Sequence, residues 1–514
     1  MDTCSITINV TGRQKSVPAI LKPTNIEEVR KLVLSARSSG TPIYPFSKGY
    51  NWGYGSRSPV SENCALIDLG NMNKILNAES ISLDNPIAII EPGVTQIQLY
   101  NFLQTHAPNL IFNVTGSGKD TSIIGNALDR GVGYMGPRRN DLFGLEIVTG
   151  TGEILRTGFR RLGDSSPLAQ NHPFGLGPIL DGLFFQSNFG IVTSACFRLF
   201  PKRPKEIVIS LPLCNNEDLP LFIDELAHLK REGLLTSVTH IANRARSNAT
   251  LSFGITSYLE KECNFSHEKA SIEADKVLNI VTSGEWTSLA SITGTHLQVK
   301  AALREIRSRM RRFGHLKVVN DELLNLSFKI THSLRFLPFV RRYAAAISAM
   351  YPLHRLALGT PTDIAIESLL WKFDHPNRQA PKLDESRCGL LFINPALPLN
   401  GSIVSETIEG MKSIAKYYNH LLYITINIET ETSLVAIVNL LFDRSNPEEI
   451  EKAHSCADAL LSYIRSKGLE VYRARADMMN KVIATDTDYW KKIYSLKQVF
   501  DPDNIIAPGR YNLP

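Results

Sequence analysis

At 514 residues the chain is too long for a single hydrophobic core, and two domains are expected. Hydrophobic residues make up 43% and charged residues 21%, a balance that excludes long disordered tails. A net charge of +6, from 56 basic and 50 acidic residues, is small for this length and gives no reason to expect a nucleic-acid partner.

The first element is a helix. Thr24 and Glu27 have capping-box spacing, and Ile26, Val29, Leu32, Val33 and Ala36 then share one face. Gly40 ends it, and Pro42 to Phe46 read as a short strand. The loop SKGYNWGYGSR follows, with glycines at 49, 53 and 55. From 65 to 200 short apolar strands (ALIDL, AIIEPG, LEIVTG, EILRTG, IVTSACFRLF) alternate with turns, and Val94 to Thr105 read as a helix. Pro201 to Pro212 mark a boundary. Beyond it, 213 to about 468 read as amphipathic helices with a few strands, such as GLLFINPA and YITINIET. The tail VFDPDNIIAPGRY is rich in turns.

Seven cysteines, Cys4, Cys64, Cys196, Cys214, Cys263, Cys388 and Cys456, form no C-x-x-C pair. A zinc site and a disulfide framework are not expected, and a reducing, cytoplasmic compartment fits. The start, MDTCSITINV, lacks the basic and apolar regions of a secretory signal, and no run of about 18 uncharged apolar residues is present to span a membrane.

Four segments carry the chemistry. In Ser47 to Gly55, glycines permit positive φ and close approach, and successive N–H groups suit a pyrophosphate. GxGxxG is absent from a Rossmann context. The segment Gly116 to Thr121 imitates an NTPase phosphate loop, but Asn113 replaces its first glycine and Asp120 follows the lysine, so an ATPase is excluded. The other three are SIIGNALDRGVGY at Ser122 to Tyr134, GLFFQSNFGIVT at Gly182 to Thr193, and the pair Tyr472-Arg473.

Taken together and in order, PFSKGYNWGYG, EPGVT, IIGNALDRGVGY, GLEIV with EILRTG, DGLFFQSNFGIVT, GTPTD, EVYR and DPDNIIAPG resemble the vanillyl alcohol oxidase and p-cresol methylhydroxylase family. The resemblance runs from residue 42 to 509. It implies an α+β fold: a two-subdomain FAD-binding domain with an inserted α/β cap domain. The expected divisions are 1–212 and 469–514 for the FAD domain and 213–468 for the cap. FAD would contact Ser47, Lys48, Gly49, Tyr50, Asn51, Gly53, Pro92, Gly93, Ser122, Gly125, Asn126, Gly133, Gly190, Ile191, Val192 and Arg510.

In phenol-oxidising members two tyrosines and an arginine hold the phenolate oxygen, and by resemblance these are Tyr54, Tyr472 and Arg473. A phenol with a pKa of ~10 is about 0.1% ionised at neutral pH, so holding the phenolate takes ~4 kcal/mol. One guanidinium and two hydroxyl donors in a dry pocket supply this. Hydride then leaves the benzylic carbon for the flavin. The alternative is that Arg473 pairs with a carboxylate of the FAD domain while Tyr54 packs.

Two departures from the family pattern stand out. The covalent flavin link of many members would fall at Thr432 or Ser433, or near Tyr50, and these residues predict a non-covalent FAD. The family's catalytic aspartate aligns with Arg138; Arg139 is its neighbour and Asp141 is the nearest carboxylate. The arginines would bind a substrate carboxylate, stabilise charge on the reduced flavin, or pair with Asp141 and other acids. His332 and His354 lie in the cap region. The competing functions are oxidation of a hydroxy acid or non-phenolic alcohol, and a non-oxidative flavoenzyme of the same superfamily. The electron acceptor (oxygen, a quinone or a carrier protein) is not readable, and a homodimer is implied. The segment from 300 to 356 carries many arginines and then LRFLPFVRRYAAAISAMYPLHRL. It reads either as a peripheral membrane or carrier contact or as a solvated helix face with core or dimer contacts.

Overall fold

A computed structural model describes residues 5–163, 165–282, 284–370 and 380–514. The helix expected at 26 spans Ile26–Ser39 and ends at Gly40 in the left-handed region, φ 66°. Its cap lies one residue later than the sequence pattern indicated. Asn25 accepts from the Glu28 N–H at 3.0 Å, and the Thr24 N–H donates to the Glu28 carboxylate at 2.7 Å. Val29, Val33 and Ala36 bury the apolar stripe against Ile43, Leu66 and Ile67.

Among the described residues, the N-terminal part holds two sheets of three and four strands beside three two-stranded pairs. In one, Ile20–Leu21, Ala65–Asp68 and Ile43–Phe46 run parallel. In the other, Ile154–Arg156, Leu142–Thr149, Gly190–Arg198 and Ile87–Ile90 are antiparallel. The C-terminal tail returns to the first sheet: the Ile43 N–H donates to the Ile505 carbonyl at 2.8 Å, and the Ala507 N–H to that of Ile43 at 2.7 Å. A wholly buried ion pair, Lys497 Nζ to Asp501 Oδ2 at 2.7 Å, locks it there. The lysine also donates to the Asn188 and Ile506 carbonyls, so its desolvated charge is solvated by protein.

Between these parts lies a larger sheet, nine-stranded among the described residues, built from strands between Lys205 and Val471. Its first strand, Lys205–Leu213, begins before the expected break at 212. The sheet holds more strand than the sequence reading assigned. Helices Leu219–Arg231, His296–Met310, Gly401–Tyr417 and Pro447–Ser466 cover one face and share its apolar core. Strand side chains alternate between faces. On Tyr423–Ile428, Ile424, Ile426 and Ile428 enter that core, while Tyr423 meets Trp52 and Leu390 on the other side. This second face looks toward the Gly-rich loop. Among the described residues no helix is long and apolar enough to cross a membrane.

Candidate active site

Strand Ile43–Phe46 delivers the chain into the loop 47–58, where Gly49 and Gly53 take φ of 71° and 74°. Gly53 is required by close approach as well: a Cβ there would stand 2.3 Å from the Phe392 ring. The loop thus lies directly on strand Cys388–Phe392 of the large sheet, and the Tyr54 and Phe392 rings stack at 5.0 Å.

The second segment opens with a helix cap. Ser122 Oγ accepts from the Gly125 N–H at 2.9 Å and donates to the Pro92 carbonyl at 2.6 Å. A Cβ on Gly125 would fall 2.4 Å from Ser47 Oγ, so loop, cap and turn meet at one point. Strand Gly190–Arg198 brings a third wall beside Leu142–Thr149.

These walls line an open cavity of about 1050 Å³, counting its mouth. Ser47, Lys48, Gly49, Tyr50, Asn51, Pro92, Ser122, Gly125, Asn126, Gly190, Ile191, Val192 and Arg510 line it, as does Arg473. Gly53, Gly93 and Gly133 are not in the lining. A Cβ on Gly93 would meet the Gly70 carbonyl at 2.4 Å and one on Gly133 the Asn113 amide at 2.1 Å, so both serve backbone packing. Lys119 of the NTPase-like segment pairs with Asp363 at 3.2 Å.

Asp129 organises the charged end of the cavity. It is 8% exposed and receives Arg473, Arg510 Nη2 at 3.1 Å and Asn51 Nδ2 at 2.9 Å. Burial opposes its ionisation, but the two guanidinium groups prevail and hold its carboxyl below the usual range. Arg473 also donates to Asn51 and covers the Tyr54 ring at 4.1 Å. Arg473 Nε and Arg510 Nη1 remain buried without a protein partner. Buried cationic donors left open at a cavity of this size fit a dinucleotide with an anionic diphosphate and carbonyl oxygens.

The predicted substrate triad is thus partly assembled. Tyr54 and Arg473 are in contact, and Tyr472 is close enough for the Arg473 charge to act on it. The Tyr54 hydroxyl accepts from Asn394 Nδ2 at 2.5 Å, and the Tyr472 hydroxyl donates to the Arg130 carbonyl at 2.7 Å. Burial pushes the pKa of both phenols upward, so both stay protonated donors.

The two arginines of GPRR part company. Arg138 is wholly buried. It donates to Asn126 Oδ1 at 3.1 Å and lies 5.4 Å from the Phe197 ring. Desolvation lowers its pKa to about 10, and its Nε and Nη2 have no protein partner. Arg139 is exposed, and its charge acts on Glu429 and Tyr472. Asp141 is buried and accepts from Asn113 Nδ2 at 2.8 Å. His354 pairs with Asp321 at 2.7 Å, His332 Nδ1 lies 3.1 Å from the Tyr258 hydroxyl, and neither lines the cavity. Thr432 and Ser433 sit in a surface turn closed by Thr430 Oγ1. Sequence reasoning missed Asp129 and Gln186 of the lining. Asp129 stands inside a segment already singled out for its glycines, and a carboxylate amid GNALDRG was the available signal.

The two-part fold and the cation-ended cavity define a protein that binds a dinucleotide cofactor. The comparisons identify which: an FAD binding domain family model matches residues 17–158. The chain is 30% identical to the 1'-carboxy-chondrochloren decarboxylase of Chondromyces crocatus over 502 residues, 96% of this chain and 90% of that protein. It is 26% identical to the 4-cresol dehydrogenase [hydroxylating] flavoprotein subunit of Pseudomonas putida over 495 residues, covering 96% and 87% of the two chains. The structure of a 4-ethylphenol oxidase from Gulosibacter chungangensis, in its isoeugenol complex, superposes with a TM-score of 0.80 at 23% identity, covering 97% and 90%. The chain belongs to the p-cresol methylhydroxylase-type family of FAD-binding flavoproteins, and it is an FAD-dependent oxidoreductase.

Proposed function

We propose that the chain oxidises a small aromatic substrate, a para-substituted phenol or aryl alcohol. Bound FAD supplies the hydride acceptor. The observation that carries the reading is Arg473, which lines the cavity and covers the Tyr54 ring at 4.1 Å, with Tyr54 and Tyr472 set behind that lining. A guanidinium and neutral hydroxyl donors stabilise a phenolate more than a phenol, because only the anion gains the full charge-assisted bonds. Tyr472 must turn its hydroxyl from the Arg130 carbonyl to reach a substrate oxygen. Relatives named for 4-cresol and 4-ethylphenol support the substrate class. The test is anaerobic flavin reduction, followed spectrally, across para-substituted phenols, aryl alcohols and hydroxy acids. Bleaching by the aromatic substrates is expected. No bleaching by any of them overturns the reading.

A second reading concerns an acidic substituent. Arg139 is exposed, has no ion pair among the described residues, and faces the Tyr472 side of the site. The name of the decarboxylase relative places a carboxy group on that enzyme's substrate. A carboxylate on the substrate of this chain would meet Arg139 rather than the buried Arg138. Arg139→Ala should then raise KM more for carboxylated phenols than for neutral ones.

FAD is held without a covalent bond in this proposal. No histidine or cysteine is among the described residues lining the cavity, and burial raises the pKa of Tyr50, making it a poor nucleophile. The divisions 1–212, 213–468 and 469–514, a homodimer and a cytoplasmic location complete the reading. In the basic segment from 300, Arg309 pairs with Glu225 and Glu232, as on a solvated helix face. The hairpin that follows differs: Leu326, Ile330, Phe336 and Phe339 are each more than half exposed, beside Lys329 and Arg335. It is the candidate for a peripheral membrane or carrier contact. Flotation with anionic liposomes separates the two: co-flotation supports the membrane, and its absence removes that version.

A further inference from the structure

Glu429 follows strand Tyr423–Ile428 directly. Alternation along the strand turns it to the face that carries Asn427, away from the helix-covered core. On that face Asn427 bonds His240 at 2.8 Å, and the Tyr134 ring of the GVGY segment lies 4.7 Å from His240. The face therefore meets the FAD domain. Glu429 is 4% exposed, and its Oε1 is buried with no hydrogen-bond partner. A carboxylate kept only for structure would take turn N–H groups or an ion pair at that oxygen. Among the described residues, the groups that face Glu429 electrostatically are Arg139, from the turn at Arg138–Asp141, and Tyr472, from the C-terminal segment. Asp141, the carboxylate nearest to those arginines in sequence, is instead buried on Asn113.

We propose that Glu429 is the proton acceptor of the oxidation, a role that rests on the phenol or alcohol reading above. The O–H bond of the substrate hydroxyl breaks and its proton passes to Oε1, leaving the neutral acid. The substrate C–H bond breaks with its electron pair, which leaves as hydride for the oxidised flavin. The substrate is thereby oxidised by two electrons and the flavin reduced by two. The proton then reaches solvent past exposed Arg139. Burial lifts the Glu429 pKa to about 7, against the pull of Arg139, so the carboxylate is part-ionised and basic at neutral pH.

The test is rapid anaerobic reduction of the holoenzyme by a para-substituted phenol, from about pH 5 to 9, in wild type, Glu429→Gln and Glu429→Asp. Wild-type reduction should rise through a limb near pH 7. In Glu429→Gln the limb should vanish and the plateau rate should fall about 10²–10⁴-fold. Glu429→Asp should regain part of the rate with a shifted limb, which a structural role would not produce. The resting flavin spectrum of the variants should match wild type. Wild-type rate and limb in Glu429→Gln would overturn the role of Glu429 and leave the oxidation standing. A wild-type flavin that no phenol or aryl alcohol reduces would overturn the oxidation and this proposal with it.

Discussion

Replacing Asp129 with alanine removes the anion that two buried guanidinium groups share. Asp129 is 8% exposed and receives Arg473, Arg510 and Asn51. Deleting one member of a buried pair leaves an uncompensated charge, which costs about 3–5 kcal/mol. Here two cations lose their partner, so the upper part of that range applies. At roughly 2 °C per kcal/mol for a large domain, the melting temperature of the apoprotein should fall by about 8–10 °C. Asp129→Asn keeps hydrogen-bonding capacity without the charge and should lose most of the same amount. The pH dependence follows from the lowered pKa. The carboxylate's contribution is complete above the unfolded value of 3.8 and is lost as pH falls through the folded one. Wild type and Asp129→Asn should therefore differ most at neutral pH and converge in acid. The assay is thermal melting by circular dichroism at pH 7 and at a pH well below 3.8, where the carboxylate takes up its proton. A change under about 1 kcal/mol at pH 7, or a gap that does not shrink in acid, would refute the shared-anion reasoning.

Three further outcomes are expected. Gly125→Ala puts a methyl 2.4 Å from Ser47 Oγ and should weaken FAD about tenfold, as read by flavin fluorescence titration; removing the hydroxyl with Ser47→Ala should recover part of it. Asp384 is buried under Ser56 and the Val10 N–H, and burial raises its pKa to about 6. A carboxyl with a raised folded pKa binds its proton more tightly in the native state, so its contribution declines as pH rises from about 4 to 6; Asp384→Asn should abolish that slope in urea midpoints, and a retained slope would assign it elsewhere. Acid precipitation should leave the flavin in the supernatant, and yellow protein in the pellet would mean a covalent link.

Local signals were legible in the sequence. Helix Ile26–Ser39, its glycine stop and the Gly-rich loop depend on neighbours a few residues apart, and those neighbours are visible in a string of letters. Even there the cap shifted from Thr24 to Asn25, because either polar side chain can satisfy the free N–H groups and packing chose between them. The ordered motifs between 42 and 509 sufficed for the family and its cofactor. The large sheet was under-read: strands such as Thr239–Asn243 and Trp286–Gly294 carry polar residues on one face, and their pairing is distant in sequence. The arrangement of the site was beyond reach for the same reason. Asp129 acquires its meaning from Arg473 and Arg510, 344 and 381 residues away. Arg138 and Arg139 are adjacent letters, yet one is wholly buried and the other exposed. Glu429 looks like any turn glutamate until the second face of its sheet closes over it. Residue type and short-range spacing determine which chemistry a chain carries, but burial and charge pairing are properties of the folded neighbourhood, and only tertiary structure decides them.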